Sequence, residues 1–161
     1  MPKAEIVEAA TAHAEWNKGL EAYKQKDWAT AVKEFEEVTK TNPDYAGGFY
    51  MLGLCQRMLG QISPAVANLR KAVEIDSKAA SAEGKAPNAS YSVGLAQALL
   101  QAKQYGDAYS VLKPMNMGSM DARYRSSYAL LFAQAANDRF DIFYVLVSLR
   151  TIQKNVVPVG R

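Results

Sequence analysis

Along residues 29–40 the apolar side chains return at the interval of a helix. Phe35 and Val38 fall on one side, while Glu34 and Glu37 share another, so one face turns inward and the other meets water. The same arrangement comes back 34 residues later: sliding Ala12–Tyr45 forward lays it on Ala46–Ala79. Gly19 falls on Gly53, Ala31 on Ala65, Phe35 on Leu69 and Val38 on Ala72, and Thr41-Asn42-Pro43 falls on Ile75-Asp76-Ser77.

Each unit reads as two short helices, A and B. The small residues Gly19, Gly53, Ala31 and Ala65 mark where A and B cross, because only Gly or Ala lets two backbones approach closely there. The large residues Phe35 and Leu69 follow four positions after Ala31 and Ala65, on the same face of helix B. Asp27-Trp28 and Gln61-Ile62 occupy the turn between helices. Ser63-Pro64 predicts a helix start, with serine as N-cap and proline at the first helical position. Pro43 predicts the end of the first helix B.

With these positions, the sequence resembles a tetratricopeptide repeat array. That family's 34-residue unit places small residues at unit positions 8 and 20, a large apolar one at 24 and often proline at 32. Both units match at 8, 20 and 24, and the first keeps its proline as Pro43. The first unit departs at its start, where Trp16 falls at position 5 rather than 4 and Lys18 takes the usual leucine site. The implied fold is an all-α, right-handed superhelical solenoid of three to four helix–turn–helix units, seven or eight helices in one domain.

The units run over about 12–45, 46–79 and 89–120, with a degenerate pair over 121–154 and a tail over 155–161. Ala79–Asn88 (AASAEGKAPN) reads as an inserted loop. In the third unit Leu95-Ala96 fits positions 7 and 8, Tyr105 the turn, Ala108 position 20 and Leu112 position 24; Pro114 stops helix B early and Asn116–Ser119 forms a turn. The fourth pair is Asp121–Asn137 followed by Arg139 to about Lys154. Its second helix, with IFYVLVSL, is apolar nearly all round. A terminal solenoid helix is expected to have a polar outer face, so this one calls for a cover: the tail, a further domain or another copy of the chain. Self-association or assembly through that helix is therefore the alternative function.

Composition narrows the chemistry. The chain is 49% hydrophobic and 22% charged, a globular balance. Its net charge of +3 is too small an excess to argue for nucleic acid or an anionic membrane. Arg123 and Arg125 cluster in sequence, but residues two apart diverge around a helix, so they are expected to be solvated. One cysteine and one histidine leave no disulfide framework, no Cys-rich or two-imidazole metal site and no Cys–His site with histidines to spare. No phosphate loop, Gly-x-Ser-x-Gly or His-Glu-x-x-His is present. Glu34, Glu36, Glu37 and Asp44 read as a solvated face, Cys55 as a packed thiol, and His13 as a surface or groove-lip residue. The expectation is a protein with no catalytic residues, no metal and no cofactor. No apolar stretch approaches the roughly 20 residues of a membrane helix. The opening MPKAEIVEAA lacks a leader's apolar core, which predicts a cytoplasmic protein, or a periplasmic or secreted one trimmed of its leader.

The resemblance also implies a site. In this family helix A residues at positions 2, 5, 6, 9, 12 and 13 line a concave groove. The first unit then offers Trp16, Asn17, Leu20 and Tyr23 with His13 and Lys24. The second offers Tyr50, Met51, Leu54, Arg57 and Met58, the third Gln97 with Ser90 and Gly94, and the fourth Tyr128 and Phe132 with Arg125. Family members that hold heat-shock-protein tails do so with a clamp of Lys, Asn, Asn, Lys and Arg. Those positions here are Trp16, Leu20, Met51, Ser90 and Gly94, which argues against such tails. An aromatic and methionine lining suits an apolar or amphipathic peptide segment of a partner protein.

Overall fold

The computed structural model describes residues 3–115 and 122–137. Those residues form seven α-helices: α1 (Lys3–Lys24), α2 (Trp28–Thr41), α3 (Ala46–Met58), α4 (Ile62–Ala82), α5 (Ala89–Gln101), α6 (Tyr105–Leu112) and α7 (Ala122–Asn137). The expected turn at 116–119, the second helix of the fourth pair and the tail lie outside the described residues.

The hairpins are set by a turn that recurs once per unit. At the turns between the two helices of a unit, three residues adopt positive φ: Lys26 (60°), Gly60 (75°) and Lys103 (59°). In each case the next backbone N–H reaches back to close the helix. Asp27 N donates to Ala22 O, Gln61 N to Gln56 O and Gln104 N to Leu99 O, at 2.9, 2.9 and 2.8 Å. This left-handed C-terminal closure satisfies carbonyls that would otherwise be orphaned at the helix end. The residue that closes one helix then caps the next. The Asp27 carboxylate accepts from Thr30 N at 3.1 Å. Gln61 and Gln104 hold the same place without a side-chain cap bond.

That turn corrects the expected start of α4. The helix begins at Ile62 with Gln61 as its cap, not at Pro64 with Ser63 as its cap. Pro64 is tolerated because first-turn N–H groups have no intrahelical acceptor to lose. A second correction concerns Ala79–Asn88. Residues 79–82 continue α4, which reaches 21 residues against 14 for α2. Ala80 is buried there, and the helix closes only at Gly84 (φ 65°), where Lys85 N donates to Ala80 O at 2.8 Å. The loop is thus confined to Glu83–Asn88. It is tied down by Asn88 N donating to Asp76 Oδ2 at 2.6 Å. α1 also extends upstream of the first unit's expected start, to Lys3. The other stops fall as expected: α2 ends before Pro43 and α6 before Pro114.

Each helix packs on its sequence neighbour, and in addition α3 packs on α5 and α5 on α7. No comparable contact joins α2 to α4 or α4 to α6. Helices α3, α5 and α7 therefore lie on the inner, tighter side of the curve. Burial follows the same nearest-neighbour logic. One core gathers around Phe35 with Ala22, Ala31, Leu52 and Cys55. A larger one joins Leu69 to Leu95, Leu99, Ala108, Leu112 and the buried face of α7.

Candidate peptide-binding face

The inner face is built by α1, α3 and α5. Trp16 is half-buried, meeting the Phe35 ring edge-on (5.4 Å between centroids, 65°) and the Tyr45 ring likewise (5.3 Å, 66°). Leu20, Tyr23 and Met51 also rest on the first core while part of each stays exposed. Tyr23 is fixed by the edge of Trp28 at 5.3 Å. Asn17, one residue after Trp16, is exposed.

Tyr50 and Leu54 belong to the next unit and lean on the second core instead. The Tyr50 ring lies over Gly94, where a Cβ would stand 2.8 Å from its Cε2, and sits 4.8 Å from the Tyr91 ring. Tyr91 was not among the residues expected in the groove, because its position is not a lining one. The signal that could have found the contact is Gly94, a glycine facing a ring on the neighbouring first helix. Gln97 is half-buried, and Met58 is 50% exposed at the end of α3. Between Leu54 and Met58 stands Arg57, half-buried, its Nε enclosed and without a hydrogen-bond partner among the described residues.

Tyr128 and Phe132 are corrected: they are core residues, 4% and 3% exposed. The Tyr128 hydroxyl donates to Leu112 O at 3.0 Å, and its ring stacks on Phe132, which in turn meets Tyr109 at 5.2 Å. Short α6 brings Tyr109 and Leu112 down onto α7, and this contact seals both rings away from solvent.

Burial pushes the Cys55 thiol up to about 12, so the thiolate is suppressed at neutral pH. His13 is exposed. Among the described residues no three His, Cys, Asp or Glu side chains converge on a point that could hold a metal ion, and no helix is long and apolar enough to cross a membrane.

What the fold defines is a helical-repeat protein: stacked antiparallel hairpins with a partly apolar inner face. Residues 17–80 match the tetratricopeptide repeat family, and the described helices build a right-handed superhelical solenoid of the kind that repeat forms. Among solved structures it is similar to the TPR2B domain of yeast Sti1 in its pHsp70 complex, with 23% identity and a TM-score of 0.66 over 80% of this chain and 98% of that one. It is also similar to MamA from Desulfovibrio magneticus RS-1, with 16% identity and a TM-score of 0.71 over 87% of this chain and 72% of that one. A third likeness is the Arabidopsis OM64 TPR domain, with 19% identity and a TM-score of 0.64 over 81% and 98%. At these identities the likeness is one of fold. No curated protein sequence matches the chain.

Proposed function

We propose that the chain is a non-catalytic scaffold that holds an apolar or amphipathic segment of a partner protein along α1, α3 and α5. One observation carries this reading. Trp16, Leu20, Tyr23, Tyr50, Met51 and Leu54 are each anchored on a core by one side while the other side stays partly open. Anchoring fixes the side chains in advance, so a visitor gains apolar burial without first ordering them. Full burial of a Leu or Met side chain contributes about 1.5–3 kcal/mol, so a few such contacts suffice for a specific complex. The thioethers of Met51 and Met58 adapt to an imprecise fit. Sti1 was solved with a bound pHsp70 species, but this chain replaces the clamp positions with Trp16, Leu20, Met51, Ser90 and Gly94, so its partner is of another kind.

The test is a titration of the ¹⁵N-labelled chain with an amphipathic helical peptide bearing a Leu/Met face. Amide shifts are expected at Leu20, Met51 and Leu54. Leu54→Glu is expected to abolish them while the circular dichroism of the helices persists. Shifts confined to α2, α4 and α6 would reject the inner face as the site.

A further inference from the structure

At the N-terminal ends of α3 and α5 the inner face is floored by aromatic rings. Two buried glycines there, Gly47 and Gly94, are each covered by a tyrosine. Tyr45, the residue before α3, folds back over Gly47, where a Cβ would stand 2.7 Å from its Cζ. Tyr50 covers Gly94 in the same way and has Tyr91 beside it, the two rings tilted by 48°. Trp16 of α1 meets Tyr45 edge-on. A visitor can reach these rings: Tyr45 is 45% exposed, and Trp16, Tyr50 and Tyr91 each keep part of their surface open.

The charge beside the rings is negative. Asp76 of α4 is partly exposed, and its Oδ2 accepts from Asn88 N at 2.6 Å. That backbone donor fixes the carboxylate in place without cancelling its charge, and among the described residues Asp76 forms no ion pair. Burial, then the Asp76 carboxylate and Tyr45, hold the Tyr91 phenol above its ordinary value, so both groups lie within electrostatic reach of that ring. The nearby lysines are spent on other acids, Lys78 on Glu74 and Lys85 on Glu83, each at 2.7 Å. Arg57 comes seven residues after Tyr50, about 10 Å further along α3, so positive charge belongs to the other end of the face. Ring faces carry the negative part of the aromatic quadrupole, and a fixed carboxylate beside them adds to the attraction for an organic cation.

We propose that this end of the inner face takes a basic side chain of the partner segment, an arginine or lysine laid against the Tyr45 and Tyr91 rings with its charge met by Asp76. The occupant is an amphipathic segment of a partner protein, its apolar side on Leu20, Met51 and Leu54 and its polar side basic at the tyrosines. The proposal rests on the peptide-holding function above and adds the sign of the partner's charge and the end of the face that reads it. An acidic side chain placed there would meet Asp76 and the negative ring faces, and so would the phosphates of a nucleic acid.

The experiment uses the full chain and three fluorescein-labelled helical peptides with an identical Leu/Met face and a polar face of Arg, Gln or Glu, with binding followed by anisotropy. The Arg peptide is expected to bind on the order of tenfold tighter than the Glu peptide. That gap should shrink between about 50 mM and about 300 mM NaCl. Asp76→Asn keeps an oxygen for Asn88 N and removes the charge, and Tyr91→Leu keeps apolar bulk and removes the ring. Each should weaken the Arg peptide by on the order of fivefold and leave the Gln peptide within about twofold. Tyr45→Leu, at an exposed position, gives the same readout if the Tyr91 variant does not fold. Equal binding of all three peptides, unmoved by the substitutions, overturns the cation site and leaves the peptide-holding function standing. So does an equal loss for the Gln and Arg peptides in the tyrosine variants, which would assign the rings apolar contact alone. Binding of no peptide overturns both.

Discussion

The Cδ1–Cε1–Cζ edge of the Phe35 ring lies against the backbone of Gly19, so close that a Cβ there would stand 2.8 Å from Cε1. The same relationship recurs one unit later, where a Cβ on Gly53 would stand 2.6 Å from Leu69 Cγ and 3.1 Å from the backbone oxygen of Ala65. Both large side chains are fully buried and have nowhere to retreat. Gly19→Ala and Gly53→Ala are therefore expected to destabilise the fold by about 1–3 kcal/mol, the overpacking penalty outweighing alanine's better helix propensity. Gly53→Ala should be the worse, since one obstacle is backbone. Urea denaturation midpoints at constant m check this.

Lys26 and Lys103 occupy a left-handed position that Gly60 fills in the middle unit. An L side chain is strained there, whereas glycine is not, although glycine loses more chain entropy on folding. Lys26→Gly and Lys103→Gly should each stabilise by about 0.5–1 kcal/mol, raising the thermal midpoint by about 1–4 °C. Gly60→Ala should lower it. A fall with either lysine variant in a thermal scan would contradict the shared turn geometry.

Cys55 is buried in the first core, and desolvation raises its thiol from an ordinary 9.0 to about 12. The folded state thus holds a proton that the unfolded chain releases. The stability associated with that proton is complete below pH 9 and is lost as the pH climbs towards 12. Iodoacetamide at pH 8 should leave the native thiol unmodified and label it rapidly in denaturant. Labelling of the native protein at the denatured rate would show that the thiol is not enclosed.

The Tyr128 hydroxyl closes α6 onto α7 by donating to Leu112 O. Tyr128→Phe removes this hydrogen bond, leaving Leu112 O with Met115 N as its donor, and keeps the ring stack with Phe132. A loss of about 0.5–1.5 kcal/mol is expected, the net worth of one hydrogen bond. Amide hydrogen exchange should rise in α6 and α7 and remain unchanged in α2.

The Asp27 carboxylate caps α2, and its hydrogen bond with Thr30 holds its pKa below the ordinary carboxylate value. The cap's contribution is present above that ordinary value and fades as the pH falls through the lowered one. Asp27→Ala should lower the thermal midpoint at pH 7, and Asp27→Asn, which keeps an accepting oxygen, should lower it less. At a pH low enough to protonate Asp27, the wild type and Asp27→Asn should converge.

Much of the architecture was legible in advance because it follows from local rules. A small residue facing a large one 16 positions on, as Gly19 faces Phe35, requires two helices to cross there, and the pair repeats as Gly53 and Leu69. The breaks before Pro43 and Pro114 follow from proline's missing donor. The end of α4 was not legible, because the Gly, Pro and Ser of Ala79–Asn88 signal a loop without fixing where it starts; alanine's helix preference carries α4 on through Ala82 to the closure at Gly84. The resemblance to the tetratricopeptide repeat pattern implied one inner face for Trp16, Leu20, Tyr50, Met51 and Leu54 but could not say how deeply each is covered.

The order of residues alone dictated the repeat, its period and the hairpin within it, since these depend only on contacts between side chains a few turns apart. Exposure was decided in three dimensions. Tyr128 and Phe132 have the same inward register as Tyr50 and Leu54, yet Tyr109 and Leu112 from the preceding hairpin close over them. Periodicity tells a helix which way its faces point, whereas only the stacking of one unit on the next determines what lies opposite.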